Sequence, residues 1–403
     1  MRKPLSIAFI VRDPLPPTRA DVATLFGSEL PRHGIATELV GQGGGGTASW
    51  PGGGMHIVGS LGSRFAPVLS PLWDLRGLLR ARRRIRPDCI QVRDKIASSL
   101  PALLAAALLR VPFVYWMSFP IVEGYAVRRD EFTGVRWLAH ALRAAASRIV
   151  LYRLVLPGAH HIFVQSEAMA DWLTVRGLDR SRMTAVPIGV DATVFDRARV
   201  TPNRDARLDG RRVVLYLGRI ARARRSDFLL DVAEGLKADM PDSLVVIAGD
   251  AASLDEMAWM RAEIARRDLL EHVLLTGWLP QHEALGYAVR AEVGLSPIPR
   301  GALFDVSSPT KLVEYLALGI PSVANDIPDQ RLVIEGSGAG LCVPMETTAF
   351  VAAIRRLLDD RDLAAGLAQR GPAYVNSHRT YAILGRIVAE TYTKILPQAD
   401  EAV

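Results

Sequence analysis

Residues 213–227 read VVLYLGRIARARRSD, an apolar run of strand length that ends in Gly218-Arg219 and runs into Arg222, Arg224 and Arg225. Three more segments follow the same plan: SLVVIAGD at 243–250, HVLLTGWLP at 272–280 and SSPTKLVEYLALGIPSVAND at 307–326. The second ends in Gly249-Asp250 and the third in Gly277-Trp278-Leu279. The fourth enters a helix through Ser307-Ser308-Pro309 and leaves it for another buried strand. Ligands of parallel α/β sheets bind beyond the carboxyl ends of the strands, which is where these residues fall. Arginines after one strand and the start of a helix after another converge on an anion, most simply a diphosphate. Thr310 and Lys311 open that helix, and Glu314 follows one turn later, within reach of vicinal hydroxyls. Phosphates plus a ribose describe a nucleotide. The plainer reading of Glu314 is a pair with Lys311 on one helix face, worth ~0.2–0.5 kcal/mol.

Outward from this stretch, short β-branched runs alternate with helical patterns along the chain. Strands are expected at 5–11, 35–40, 89–92, 111–116, 161–165 and 183–186. In the second half they are expected at 213–217, 244–248, 273–275, 293–296, 322–324 and 341–343. Amphipathic segments such as 227–237 and 258–267 lie between, an alternation that predicts parallel sheets covered by helices on both faces. The polar stretch 197–212 breaks the pattern and reads as a domain linker. The segment 41–54, with eight glycines, reads as a mobile loop. Its formal G-x-G-x-x-G match at Gly41, Gly43 and Gly46 runs into Trp50-Pro51-Gly52, where no helix can start to meet a pyrophosphate.

At 403 residues the chain suits two α/β domains, and a composition 49% hydrophobic and 23% charged excludes a disordered one. Two distant cysteines, Cys89 and Cys342, exclude a disulfide framework and point to a reducing, cytoplasmic setting. The opening MRKPLSIAFIV is too short in its apolar part for a leader and reads as a first strand. No apolar run reaches the ~18 residues of a membrane span. His160-His161 lacks companion ligands, and Asp360-Arg361-Asp362 lies in a charged surface stretch, so no metal site is expected. Charge is lopsided: residues 1–200 carry +11 and the remainder −4, which points only the first half at an anionic partner.

The four ordered segments, with VPIGVDATVF at 186–195, resemble the fourth family of retaining, GT-B-fold glycosyltransferases (glycosyl transferases group 1), over about residues 5–395. The resemblance implies two facing Rossmann-like domains with an interdomain cleft. They span 1–197 on the acceptor side and 205–375 on the nucleotide-sugar side, with a final helix in 376–403 returning to the first domain. It implies Arg219 and Arg224 at the donor diphosphate, in place of the family's arginine and lysine, with Arg222 and Arg225 as alternatives to Arg224. Gly218, Gly249, Asp250, Gly277, Trp278, Leu279, Ser307, Ser308, Thr310, Lys311 and Glu314 complete the donor set. The family's Glu-x7-Glu keeps its second member as Glu314, but Val306 stands at the first; Asp305 or the amides of 307–310 are the substitutes. In PFVYWMSFP, at 112–120, Ser118 holds the place of the family's histidine near the reacting sugar, and Glu123 lies on the same acceptor side. In PPTRADVATLF, Ala20-Asp21 stands where the family has a glycine pair.

The implied activity moves a sugar from a UDP- or GDP-sugar to a glycan, glycolipid or small-molecule hydroxyl, with retention and without a required cofactor or metal. The rivals are a catalytically silent sugar-nucleotide-binding or scaffolding protein and a GT-B-fold epimerase. Nucleic acid is not an expected partner, since no recognition motif accompanies the basic half. Peripheral contact with an anionic membrane is expected instead. It would use Arg76, Arg80, Arg82, Arg83, Arg84 and Arg86, together with an amphipathic segment carrying Arg128, Arg129, Arg136, Arg143 and Arg148 among Trp137, Leu138, Leu142 and Ile149. The competing reading packs those apolar faces inside the domain.

Overall fold

The computed structural model describes residues 4–43, 49–129 and 133–396, and the chain divides into two units. The first takes the chain up to Ile188 and again from Tyr381; the second is Gly189–Thr380.

In the first unit, β1 (Leu5–Ile10) leads to α1 (Ala20–Thr24), which runs through a π-helical turn, Leu25–Glu29, into α2 (Leu30–Arg32). Next come β2 (Ile35–Gly43), β3 (Gly53–Ser60), α3 (Ala66–Arg84), β4 (Cys89–Arg93), α4 (Ile96–Leu109) and β5 (Phe113–Met117). Helices α5 (Ile121–Arg129) and α6 (Gly134–Ile149) precede a π-helical stretch, Val150–Val155, and α7 (Leu156–Gly158). The unit continues with β6 (His161–Val164), α8 (Glu167–Thr174) and β7 (Met183–Ala185). All neighbours in the sheet order β3-β2-β1-β4-β5-β6-β7 are parallel. A chain of aromatic rings, Phe9, Phe26, Trp116, Phe163 and Tyr392, fills one side of this sheet.

The second unit begins its sheet with β8 (Arg212–Leu217), followed by α9 (Phe228–Asp239), β9 (Ser243–Ala248), α10 (Leu254–Arg266) and β10 (Val273–Gly277). Then come α11 (Gln281–Ala288), β11 (Val293–Ser296), α12 (Thr310–Ala317), β12 (Ser322–Asn325) and α13 (Pro328–Ser337). The unit ends with β13 (Gly340–Val343), α14 (Thr347–Asp359) and α15 (Arg361–His378). Its parallel order is β10-β9-β8-β11-β12-β13. Along β8, Val214 and Tyr216 join the core layer of Phe228 and Phe350, while Val213 and Leu215 join that of Leu312 and Tyr315. Both faces are covered, which is why the strands read as continuous apolar runs. Strand order reverses between β8 and β11, the place where a doubly wound sheet opens a crevice beyond its strand ends. Helix α16 (Tyr381–Ile395) belongs to the first unit, where the Tyr392 hydroxyl donates to the Gln91 side chain.

Two expectations are corrected. The glycine-rich segment is not one loop: β2 runs on to Gly43, and Gly53 and Gly54 open a strand the sequence did not announce. Its described glycines serve close packing. A Cβ on Gly43 would lie 2.9 Å from both Ile57 and the Leu15 carbonyl oxygen, and one on Gly54 2.1 Å from the Glu38 carboxylate. Trp50 is buried, its indole N–H on the Thr37 carbonyl at 3.0 Å. Gly46, and with it the G-x-G-x-x-G match, lies outside the described residues. The stretch 197–212 is no free linker either. Arg197 donates to the Val289 carbonyl at 2.9 Å, and the Tyr287 hydroxyl donates to Asp205 at 2.8 Å, so its start and its middle are tied to the second unit.

Helix α12, which carries Lys311 and Glu314, is seated against α15 through Gly371, where a Cβ would come within 2.5 Å of the Leu316 carbonyl. Gly371→Ala should therefore lower stability by roughly 1–3 kcal/mol. Gly366→Ala, in the same helix with nothing within 4 Å of its Cβ position, should raise it by roughly 0.5–1 kcal/mol. Urea denaturation of both variants checks this; equal effects would mean that the α12–α15 contact is not tight.

Candidate functional site

The carboxyl edge of the second sheet gathers residues from four segments because glycines let their backbones meet. A Cβ on Gly249 would stand 1.9 Å from the Gly218 carbonyl oxygen, a distance no side chain survives. Gly249 in turn bridges to Gly277, and the Gly218 amide donates to the Ala248 carbonyl at 3.1 Å. Helix α12 is fixed over this edge by the Leu217 amide, which donates to the Tyr315 hydroxyl at 2.6 Å.

Lys311 is buried there, its ammonium 5.2 Å from the centre of the Tyr216 ring. Burial drives its pKa down to about 8; Arg224 adds repulsion and Glu314 opposes both. Burial likewise pushes the part-buried Glu314 carboxyl up to about 7, against the pull of Lys311. Two groups whose pKa values burial shifts toward neutrality, one turn apart at a strand edge with a further cation beside them, form a polarised site suited to an anion and to hydroxyl groups.

The arginine run separates by contact. Arg222 lies 4.8 Å over the Trp259 ring with its amide on Glu256, and Arg225 pairs with Asp227 at 3.2 Å. Arg224 sits 5.9 Å from the Phe304 ring and is the one that Lys311 and Tyr216 feel electrostatically. Arg219 is exposed directly after β8, its carbonyl accepting from the Tyr216 hydroxyl at 3.3 Å. Trp278 is 73% exposed beyond β10, and Leu279 is part-buried beside it. Asp250 is exposed and accepts the Ala251 amide at 2.8 Å.

Not every sequence candidate joins this group. Ser307 and Ser308 point to structural partners: the Ser307 hydroxyl donates to the Phe304 carbonyl at 2.7 Å, and Ser308 accepts from Arg379 at 3.3 Å. Arg379 is buried and also pairs with Asp329 at 2.7 Å. Asp305 accepts from Arg300 at 2.8 Å and from the Gly301 amide at 3.2 Å, which commits its carboxylate to its own loop. Val306 is buried. Thr310 remains exposed at the helix start. Elsewhere, Asp360 caps α15 through the Leu363 amide at 2.9 Å, and His161 is held by Thr184 with burial lowering its pKa to about 4. Among the described residues no group of three His, Cys, Asp or Glu side chains is placed to hold a metal ion.

Sequence reasoning missed the partners of Ser118 in the first unit. Arg93, at the end of β4, is 1% exposed and donates to Asp21 at 2.5 Å and to the Ser118 hydroxyl at 3.3 Å. Asp94, next in the chain and at φ 51°, takes both the Ser118 amide, at 3.0 Å, and its hydroxyl. Burial would raise the Asp21 pKa, but Arg93 and Arg19 more than offset it; for Asp94 burial wins and the pKa is raised. A strand ending in Arg-Asp-Lys was the available signal. Glu123 is buried too, holding the Tyr152 hydroxyl at 2.8 Å.

Residues 211–360 match the family model described as glycosyl transferases group 1, and residues 20–189 that of the glycosyl transferase 4-like domain. The chain is 28% identical over 190 residues to an α-D-kanosaminyltransferase of Streptomyces kanamyceticus, an alignment covering 47% of each chain. It is 30% identical over 207 residues to a phosphatidyl-myo-inositol mannosyltransferase of Mycolicibacterium smegmatis, half of each chain. The matches thus span about half the length of these curated relatives. Among solved structures it is similar to sucrose-phosphate synthase from Thermosynechococcus elongatus, with TM-score 0.73 and 16% identity over 97% of this chain and 99% of the other. HepE of Anabaena in complex with UDP gives TM-score 0.71 and 15% identity over 97% and 100%. These likenesses identify the fold as GT-B.

The desolvation of the Glu314 carboxylate has a cost that titration exposes. Because the pKa of Glu314 rises from 4.5 to about 7 on folding, the native state takes up a proton there. Its contribution to stability is full below about 4.5 and is lost as pH climbs to about 7. Glu314→Gln should therefore be more stable than the parent at pH ~8, by on the order of 2 kcal/mol, and nearly equal to it at pH ~5. Denaturation midpoints at the two pH values test this, and a glutamine variant less stable at the higher pH refutes it.

Proposed function

The chain belongs to the glycosyl transferases group 1 family, and we propose that it moves a sugar from a nucleoside diphosphate donor to a hydroxyl acceptor with retention of configuration. One observation carries the donor assignment: Lys311 is buried beside Arg224, and the counter-charge it feels is Glu314. Burying an ammonium against another cation is costly unless an anion joins them, and a diphosphate supplies two adjacent negative groups. Arg219, Arg224, Lys311 and the amides at the start of α12 then take the phosphates, and Glu314 accepts from the ribose hydroxyls. The base lies by Gly277–Leu279. UDP is the first donor nucleotide to test, because a neighbour of the same fold is a UDP complex.

The difficult step is breaking the bond between the sugar C1 and the phosphate oxygen. Fixed cations that bind the departing oxygens more tightly as charge develops lower that barrier. The acceptor oxygen bonds to C1 on the face the diphosphate leaves, and its proton passes to the departing phosphate. Positive charge from the chain does here what a divalent cation does in other transferases, so no metal is called on. With Asp305 committed to Arg300, and the Ser307 amide to the Phe304 carbonyl, the amides that open α12 from Thr310 onward are the groups that recognise the transferred sugar's hydroxyls. The acceptor is a glycan, a glycolipid or a small molecule, and the site works in the cytoplasm, where nucleotide sugars are made.

Donor binding should weaken as pH rises through about 8. The bound anion holds the Lys311 proton, whereas the free protein loses it there. Titration calorimetry with UDP and GDP should show this limb, and Lys311→Met should remove it while weakening binding roughly tenfold to hundredfold. Arg219→Ala should depress turnover by a similar factor, and chelator should leave initial rates unchanged. Rates restored by Mg²⁺ after chelation would overturn the leaving-group account. Nucleotide bound without turnover of any donor, or donor converted with no acceptor, would replace the transferase by a binding protein or an epimerase.

A further inference from the structure

Helix α6 is amphipathic in the inverted sense. Its buried or part-buried residues follow helical spacing through His140, Ala144 and Ser147, and these small or polar groups face the unit. The apolar stripe of Val135, Leu138, Leu142 and Ile149 points outward, with Val135 84% and Leu142 63% exposed. Helix α4 repeats the inversion: Ser98, Ser99, Ala102 and Ala106 are buried, while Leu104 and Leu108 are exposed, the latter at 85%. Helix α3 exposes Val68, Leu72 and Leu79.

These helices share one face of the first sheet. The crossovers β3 to β4, β4 to β5 and β5 to β6 all step in the same direction along the strand order, and right-handed crossovers then lie on one side. Their packing agrees: α3 lies against α4, α4 against the stretch 150–155, and that stretch against α6. An exposed Leu on its own needs no explanation, but outward apolar stripes on three adjoining helices do.

The charge on this face names the occupant. Across α3, α4, α6 and 150–155 the only carboxylate is Asp74, which is fully buried and held by Lys95, Gln42 and Ser98. Arg76, Arg80, Arg82, Arg83, Arg84, Arg136, Arg143, Arg148 and Arg153 are all exposed. We propose that the α3–α4–α6 face of the first unit docks on a lipid bilayer with anionic headgroups, its leucines entering the acyl boundary and its arginines meeting the headgroups. A second copy of the chain would bring one arginine field against another, whereas an anionic leaflet matches both the apolar and the charged pattern. No helix among the described residues is long and apolar enough to cross a membrane, so the contact is peripheral.

Co-sedimentation of the full chain with vesicles tests the proposal, using phosphatidylcholine alone and phosphatidylcholine with about one third phosphatidylglycerol. Binding should require the anionic lipid and fall at least about tenfold as salt rises from low to physiological strength. Leu138→Ser/Leu142→Ser and Arg82→Glu/Arg83→Glu/Arg136→Glu should each weaken it by about tenfold or more. Both sets change exposed side chains, so their thermal midpoints should match the parent's. Failure to pellet with anionic vesicles overturns the proposal, as does binding that neither variant weakens. So does a leucine variant that merely dissociates a dimer in sedimentation velocity. Sedimentation uses neither donor nor acceptor, so its failure leaves the donor-site reading standing.

Discussion

The hydrogen bond from the Leu217 amide to the Tyr315 hydroxyl ties helix α12 to the end of β8, and the second unit's site depends on it. That amide leaves the strand ladder at the point where the strand order reverses, and it finds a side chain instead of a neighbouring strand. The bond forms because the sheet is thin beneath the tyrosine. A Cβ on Gly294 would lie 2.6 Å from the Tyr315 ring, so β11 presents bare backbone for the ring to rest on. From that anchor α12 starts with free amides over the strand ends, and Lys311 is drawn down beside Tyr216 rather than into water. The site's electrostatics follow from packing: a helix seated by an aromatic anchor carries its lysine into a place that costs the ammonium its hydration.

The two units treat charge at their strand ends in opposite ways. In the first, Arg93 is buried among Asp21, Asp94 and Ser118, and Arg19 also reaches Asp21, so the cations there are answered by carboxylates of the same unit. In the second, Arg219 and Arg224 are exposed and Lys311 is short of counter-charge. The net charges of the two halves run the other way, +11 for residues 1–200 and −4 for the rest. The surplus of the basic half therefore lies away from its strand ends, on α3 and α6 at the outer surface. The candidate anion site and the proposed membrane-facing surface thus belong to different units, and bulk charge points only to the surface.

What the sequence made legible follows the strength of its local signals. The strands of the second unit were readable because both sheet faces are buried, so runs such as 213–217 and 244–248 carry no polar residue to blur them. Strand β3 was not, because its opening Gly53-Gly54 has a turn's composition while serving close approach to β2. The arginine run 222–225 could not be sorted in sequence. Side-chain direction there is set by Trp259, Asp227 and Phe304, which arrive from distant positions or the next helix. The Arg93–Asp21–Ser118 cluster is likewise assembled from two strand ends and the first turn of α1, and its sequence trace, Arg-Asp-Lys at the end of a strand, resembles any polar turn.

Helix direction is the deepest of these ambiguities. A spacing of three and four residues shows that a stripe exists on α6, and hydrophobicity by itself assigns that stripe to the core. Which way the helix faces depends on what its other side can pack. On α6 that side offers Ala144 and Ser147, small enough to let the helix lie close, with the polar His140, and on α4 it offers two serines and two alanines after Ile96. Small faces turned inward spend little apolar area on the core and leave the leucines outside, an arrangement that raises the water-exposed apolar surface and works against stability on its own. Its persistence on two adjoining helices, among exposed arginines of which Arg84 reaches Glu38 and Arg148 reaches Glu123, is what the proposed contact with an apolar, anionic phase would balance. Periodicity supplies the stripe, and the size of the opposite face supplies its direction.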